Sequence, residues 1–267
     1  MWNAEQFSSQ NIAYWTKRAP GYSRVNQEEL YTGQSQVWSH ALDSRIRQHF
    51  LEQPRESIRV LDIGTGPGFF AIILARLGYR VTAVDYTPAM LVRARENAGK
   101  LARYIRFLPM DAHALTFPDN SFDVVVSRNL TWNLHAPDQA YRQWVRVLAP
   151  GGLLLNFDAN WYRYLRDPRA KAGHLADRKN VRTSGVEDDT AGTDVQAMEQ
   201  IAHQAPLSGC DRPRWDLEML KGFGMKVSAD LEIWRQVWTR EELVNNASTP
   251  MFLIRGEKCA QTEATAS

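Results

Sequence analysis

The sequence has little cysteine: its two cysteines, Cys210 and Cys259, stand far apart and have no CxxC companion. This scarcity excludes a disulfide framework, argues against a structural zinc site and favours a reducing compartment. The sequence also lacks an apolar run long enough to cross a bilayer, and its first ten residues do not resemble a secretory signal. We therefore expect a soluble cytoplasmic protein without a membrane partner.

An excess of charge of one sign is also missing. The formal net charge is +2, from 32 basic and 30 acidic side chains, and no long basic run occurs. This balance argues against nucleic acid as a partner. Hydrophobic residues make up 44% of the chain, which is enough for a sizeable core. The sequence does not distinguish a monomer from a homodimer.

What the sequence does contain is a regular alternation of strand and helix patterns. Apolar and β-branched runs predict strands at 57–63, 79–85, 105–109, 122–127 and 153–157, with helices at 69–77, 88–101 and 137–148 between them. A helix at 215–222 and strands at 225–231 and 251–256 follow a polar stretch. This alternation predicts an α/β fold, with a mostly parallel sheet and helices on both faces.

The motif VLDIGTGPG at 60–68 is the strongest single signal. It joins an apolar strand to an apolar helix through a turn with three glycines, which lets the backbone approach a ligand closely. The N-terminus of the following helix favours a negative group, so a nucleotide-like ligand is expected. The glycine spacing departs from the G-x-G-x-x-G of dinucleotide enzymes, and the Lys-Ser/Thr of a P-loop is missing.

Four further signals follow in order. Asp85 ends the second predicted strand, where a carboxylate can accept hydrogen bonds from both ribose hydroxyls. Met110, Asp111 and Ala112 follow the third predicted strand. The segment FPDNSFDVV (117–125) leads into the fourth strand, and the segment LAPGGL (148–153) leads into the fifth. Together with the glycine turn, these motifs resemble class I S-adenosylmethionine (SAM)-dependent methyltransferases, in particular the UbiE-like small-molecule branch.

The resemblance implies a Rossmann-like seven-stranded sheet in the order 3-2-1-4-5-7-6, in which 251–256 is the antiparallel strand 7. It implies SAM as methyl donor, S-adenosylhomocysteine as product and a small-molecule acceptor. The expected segments are an N-terminal helical lid (1–55), a SAM-binding core (56–158), an inserted substrate cap (159–212), the C-terminal part of the core (213–257) and a disordered tail (258–267). A nucleic-acid or protein methyltransferase, a non-catalytic SAM-binding module and an NAD oxidoreductase remain as alternatives.

The same resemblance implies a set of cofactor-binding residues: Tyr14, Trp15, Tyr22, Asp62, Gly64, Thr65, Gly66, Gly68, Asp85, Tyr86, Met90, Met110, Asp111, Ala112 and Arg128. Aromatic faces attract a sulfonium cation, so Trp15 and Tyr22 suit a lid over the methionine half of SAM. Packing of these rings, and of Trp38, onto the core is the alternative. For Asp62, the alternative to a role at the methionine amino group is bracing of the glycine turn.

Three candidate catalytic residues follow the fourth and fifth strands. His135 is a candidate general base, because the unperturbed pKa of histidine lies near neutrality. Asn129 weakly resembles the asparagine of the NPPY loop of amino methyltransferases, and Asp158 is placed to orient a cationic or hydroxylic acceptor. A structural role is the alternative for His135 and Asp158. The spacing of His174, His203 and Cys210 matches no ligand pattern, so we expect no metal.

Overall fold

The computed structural model describes residues 2–259. Its strands are β1 (Arg59–Ile63), β2 (Arg80–Asp85), β3 (Ile105–Pro109), β4 (Phe122–Arg128), β5 (Leu148–Asp158), β6 (Met225–Asp230) and β7 (Phe252–Lys258). Its α-helices are α1 (Ala4–Tyr31), α2 (Gln34–His49), α3 (Phe69–Arg76), α4 (Pro88–Ala98), α5 (Pro137–Val147), α6 (Pro168–Ser184), α7 (Val195–Gln204), α8 (Arg214–Gly222), α9 (Ile233–Val237) and α10 (Arg240–Asn246). Among the described residues, none of these helices combines the length and apolar character that a membrane span needs.

The seven strands form one sheet in the order β3-β2-β1-β4-β5-β7-β6. The first five strands pair in parallel, while β7 runs antiparallel to both β5 and β6. The predicted fold class and strand order, including the antiparallel strand, are therefore confirmed. Parallel strands bring their carboxyl ends to one edge of the sheet, and β1 and β4 are the neighbours at which the strand order reverses.

Several predicted boundaries were wrong for local reasons. Helix α4 ends at Ala98 because Gly99 follows with a φ of +51°, which is left-handed. Strand β5 begins at Leu148 because Leu148 pairs with Phe122 of β4. Residues 149–152 fall in a register shift, and pairing resumes between Leu153 and Val124. Strand β7 extends to Lys258, so the first residue of the expected tail belongs to the sheet. The rest of that expected tail, 260–267, lies outside the described residues.

Apolar side chains pack on both faces of the sheet. Trp38 is fully buried on one face, and its ring lies 5.2 Å from those of Phe70 and Phe157. Trp38 is thus a core residue and does not contribute to a lid. On the other face, Trp144 and Tyr141 are fully buried with their rings 5.2 Å apart.

A third, smaller cluster joins the N-terminal helix to the segment inserted after β5. Phe7 of α1 packs in this cluster with Trp132 and with Met198 and Ile201 of α7. The first half of α1 therefore lies between the inserted segment and the carboxyl edge of the sheet. Residues 185–194 are neither helix nor strand.

Candidate functional site

A cavity lies at the carboxyl ends of β1, β2, β3 and β4, beneath the first half of α1. The residues that line it are Phe7, Ser8, Asn11, Ile12, Trp15, Tyr22, Ile63, Gly64, Gly66, Asp85, Tyr86, Thr87, Met90, Met110, Asp111, Ala112, His113, Arg128, Asn129, Leu130, Asn133, Leu134 and His135.

The glycine turn forms the floor of this cavity. Gly64 and Gly66 have φ angles of +69° and +54°, and a Cβ on Gly64 would lie 2.7 Å from the side chain of Leu130. Asp62 is buried beneath the turn and accepts hydrogen bonds from the Thr65 hydroxyl (2.6 Å) and the Ala71 amide (3.1 Å). Burial raises the pKa of Asp62 to about 7. The Asp62 carboxylate therefore braces the turn, which was the structural alternative.

We expect Gly64→Ala to weaken ligand binding and to destabilise the fold. The left-handed φ alone costs about 1 kcal/mol, and the new Cβ would push Leu130 into the cavity. Gly78→Ala is the matched control, since Gly78 has a φ of +94° but nothing within 4 Å of a Cβ. Chemical unfolding of both variants measures the destabilisation by backbone strain. Calorimetry with SAM measures the loss of the binding site. Equal SAM affinity in the two variants would contradict the role of Gly64.

Asp85 closes the opposite side of the turn. Its carboxylate accepts from the backbone amides of Gly66 and Thr87, both at 2.8 Å. Burial raises the pKa of Asp85 to about 6. Each carboxylate oxygen has one such bond, so each has a lone pair left for a further donor. A vicinal diol such as a ribose fits this arrangement.

Asp111 is held in place by a residue that the sequence reasoning missed. Its Oδ1 accepts from the His113 backbone amide (2.9 Å) and lies 2.6 Å from His113 Nδ1. Burial alone would raise the pKa of Asp111, but the hydrogen bonds and charge of His113 outweigh it and lower the pKa. Among residues 2–259, no donor contacts Oδ2, which is therefore available to an amino group such as that of adenine.

Arg128 and Asn129 lie at the end of β4. The Arg128 guanidinium is largely buried, lies 4.6 Å from the Trp38 ring and pairs with Glu29 at 2.6 Å. Within the described part of the chain, Arg128 Nε and Asn129 Oδ1 are buried without a hydrogen-bond partner. One is a donor and the other an acceptor, so a group carrying both a carboxylate and an ammonium would satisfy them. The methionine end of SAM is such a group.

Helix α1 covers this floor with one face. Trp15 and Tyr22 both line the cavity, and their rings lie 5.8 Å apart. Phe7, Ser8, Asn11 and Ile12 also line it, and sequence reasoning missed all four. Their spacing of three and four residues with Trp15 was a signal for a single helix face that could have identified them.

The structure does not bring every predicted site residue to the cavity. Four predicted cofactor-binding residues are not among its lining residues: Tyr14, Asp62, Thr65 and Gly68. Gly68 instead allows close packing of the turn, since a Cβ there would lie 3.1 Å from that of Ala94. His135 does line it, with its ring 4.0 Å from that of His113. Burial lowers the pKa of His135, so its ring is neutral near pH 7.

Asp158 lies outside the cavity, and its expected role in orienting an acceptor is wrong. It is fully buried and pairs with Arg212 at 2.8 Å. The same carboxylate accepts from the hydroxyl of Thr131 and from the backbone amide of Trp132 (3.1 Å). These donors all bind Oδ2, while Oδ1 accepts from the Ala159 amide (2.9 Å). Asp158 therefore orients the loop after β4. In residues 2–259 no cluster of three metal-ligating side chains occurs.

The sheet order is the one that the resemblance implied, and the cavity lies at the switch point of the sheet. The comparisons with known proteins agree. Residues 61–156 match the family model described as "Methyltransferase domain". Over this segment the chain is similar to that family, in agreement with the resemblance found in the sequence.

Individual relatives share this domain. A demethylmenaquinone methyltransferase of Thermus thermophilus is 35% identical over 51% of this chain and 60% of its own length. A trans-aconitate 2-methyltransferase of Streptomyces coelicolor is 34% identical over 61% of this chain and 54% of its own. The chain thus spans little more than half of these relatives. A SAM-dependent methyltransferase structure from Aquifex aeolicus has a TM-score of 0.50 at 18% identity, covering 81% of this chain and 88% of its own, and shares the fold.

Proposed function

We propose that this protein is a SAM-dependent methyltransferase that acts on a small molecule. The observation that carries this proposal is the order of the cavity's polar groups. Asp111 Oδ2, the Asp85 carboxylate and the Arg128–Asn129 pair are free to bind an amino group, a diol and a zwitterion, respectively. An adenine, a ribose and a methionine follow one another in the same order in SAM.

Bound SAM would supply an electrophilic methyl group on a sulfonium. A nucleophile that attacks the methyl carbon displaces S-adenosylhomocysteine, which leaves with the electron pair of the C–S bond. The protein's contribution is alignment and exclusion of water. Trp15 and Tyr22 present aromatic faces that suit the sulfonium, and α1 roofs the cavity. His135 lines the same cavity and remains a candidate for contact with the acceptor, whereas Asn129, predicted for the same role, lies at the group matched to the methionine end of SAM. His135 is the candidate base, needed only for an acidic acceptor.

The similar curated methyltransferases are named for small molecules, demethylmenaquinone and trans-aconitate. A small-molecule acceptor is therefore favoured over nucleic acid or protein, in agreement with the near-neutral charge. A cytoplasmic location and a monomeric or homodimeric state stay predictions.

Calorimetry with SAM and S-adenosylhomocysteine tests the proposal first, with micromolar binding of both expected. Turnover of radioactive SAM in an extract of small metabolites then tests catalysis, with bulk tRNA and extract protein as the competing substrates. Failure to bind either SAM or S-adenosylhomocysteine would refute the proposal. Binding of both without turnover in any extract would instead indicate a non-catalytic SAM-binding module.

The affinity of the adenosine subsite is expected to fall at acid pH. The pKa of Asp85 is raised to about 6, so its ionised fraction falls about tenfold per unit below that value, and only the carboxylate accepts from both hydroxyls without competition from its own proton. We expect the affinity for 5′-methylthioadenosine to be constant above about pH 7 and about tenfold lower at about pH 5. This ligand has no amino-acid end that could titrate in the same range.

Two variants identify the titrating group in that experiment. Asp85→Asn is expected to bind 5′-methylthioadenosine weakly at every pH, with an affinity that does not change with pH. His135→Gln is measured in parallel, because the pKa of His135 is also lowered from its usual value. This variant is expected to keep the pH dependence of the affinity. A wild-type affinity that does not change with pH, or that rises on acidification, would refute the assignment to Asp85.

A further inference from the structure

A pair of asparagine side chains connects the roof of the cavity to the loop after β4. Asn11 of α1 donates from Nδ2 to the backbone carbonyl of Asn133 (3.3 Å), and Asn133 donates from Nδ2 to Asn11 Oδ1 (3.0 Å). Both residues line the cavity. The pair forms only where α1 lies against this loop.

The hydrogen bonds fix which way both amides point. A backbone carbonyl only accepts, so the Asn11 nitrogen must face it, and Asn11 Oδ1 then faces Asn133. The Asn133 nitrogen must therefore face Asn11. This orientation leaves Asn133 Oδ1 as an acceptor without a donor in the described part of the chain, in a side chain that is only 5% exposed. Because Asn133 lines the cavity, a ligand there that carries a donor would satisfy this acceptor.

The surroundings of Asn133 differ from the part of the cavity that fits SAM. The lining contains two carboxylates, Asp85 and Asp111, and one arginine, Arg128. All three are residues already matched to parts of SAM. Apart from the residues at the ends of β1 to β4, the lining is contributed by α1, Met90, His113 and residues 130–135. Its side chains are apolar, aromatic or amide, apart from Ser8, His113 and His135. None of these carries a fixed charge. A charged acceptor would find no countercharge there.

We propose that Asn133 Oδ1 recognises the methyl acceptor, and that the acceptor is an uncharged small molecule with an O–H or N–H group on a largely apolar body. This inference rests on the proposed function, since it takes the rest of the cavity to be filled by SAM or its product. Asn133 is a specificity-determining residue here, and Asn11 positions it. Buried polar groups of this kind discriminate strongly against analogues that lack the matching donor.

The test uses the full chain saturated with S-adenosylhomocysteine and three probes of similar size: phenol, toluene and benzoate. Dissociation constants come from NMR titration. Phenol is expected to bind about three- to tenfold tighter than toluene, the range of one neutral hydrogen bond, and benzoate is expected to bind more weakly than phenol. Asn133→Leu should remove the preference for phenol over toluene while leaving the affinity for S-adenosylhomocysteine unchanged.

Asn246→Leu, on α10 and outside the cavity, is the matched control and should keep the preference for phenol. Asn133→Ala, which cannot overpack the site, replaces Asn133→Leu if that variant loses its wild-type melting temperature. Benzoate binding at least as tight as phenol, no phenol binding at millimolar concentration, or a phenol preference that survives both Asn133 variants would refute the inference alone. Failure of the wild type to bind S-adenosylhomocysteine would refute the proposed function and this inference with it.

Discussion

Asp85→Asn is expected to weaken SAM binding by about 100-fold, or about 3 kcal/mol. The substitution removes the charge and one of the two oxygens, while the Gly66 and Thr87 amides still point at the side chain. The asparagine nitrogen must then face one of these amides, and a single oxygen is left for two ribose hydroxyls. Hydrogen bonds to a charged group contribute more than neutral ones, so the loss should exceed that at any neutral lining residue.

The measurement is calorimetry with SAM and with S-adenosylhomocysteine, and both ligands should lose the same factor because they share the ribose. Asp138→Asn is the matched control, since Asp138 is exposed in the first turn of α5 and does not line the cavity. Its affinity should equal that of the wild type. A loss below about threefold in Asp85→Asn, within the range of one neutral hydrogen bond, would contradict the ribose role of Asp85.

Arg212→Met is expected to lower the free energy of unfolding by about 3–5 kcal/mol. The guanidinium is almost fully buried and makes two hydrogen bonds to Asp216, both at 2.8 Å. It also donates to Asp158 (2.8 Å) and to the Thr131 hydroxyl (2.7 Å). Removing it leaves two carboxylates buried without a countercharge. The pKa of Arg212 is raised well above its usual value, because the two carboxylates outweigh the effect of burial.

Urea unfolding measures this loss, and the chain provides a matched control two residues away. Arg214 pairs with Glu218 at 2.9 Å, but both side chains are more than half exposed, at 75% and 64%. Arg214→Met should therefore change stability by less than about 1 kcal/mol. Adding Asp216→Asn to Arg212→Met should restore part of the stability, because one uncompensated charge is removed. Similar losses of unfolding free energy in the two methionine variants would show that burial does not determine how much the Arg212 ion pairs stabilise the protein.

The Arg212 network also links the inserted segment to the cavity. Arg212 is the last residue of the expected cap, and through Asp158 and Thr131 it holds the loop that carries Asn133. Arg212→Met should therefore disturb acceptor recognition more than SAM binding, since the glycine turn and Asp85 lie on other strands. The inserted segment and the core share this network, so a boundary at 212 does not separate two independent units.

The sequence by itself determined the half of the cavity that we propose binds SAM. Contiguous motifs specify the glycine turn and the end of β2, because each places its ligand-binding groups within a few residues of one strand. Alternation of strands and helices likewise specifies a parallel sheet, and the resemblance supplied the order of its strands. The sequence was sufficient wherever the groups of a site lie within a few residues of one another in the chain.

Only the tertiary structure decided the acceptor half. It placed Asp158 in a buried ion pair with Arg212, 54 residues away along the chain, and Asn11 against Asn133, 122 residues away. No local pattern encodes such contacts, because they depend on how α1 and the inserted segment pack onto the carboxyl edge of the sheet. The donor site follows from strand ends, whereas the acceptor site arises where distant segments bury polar groups together.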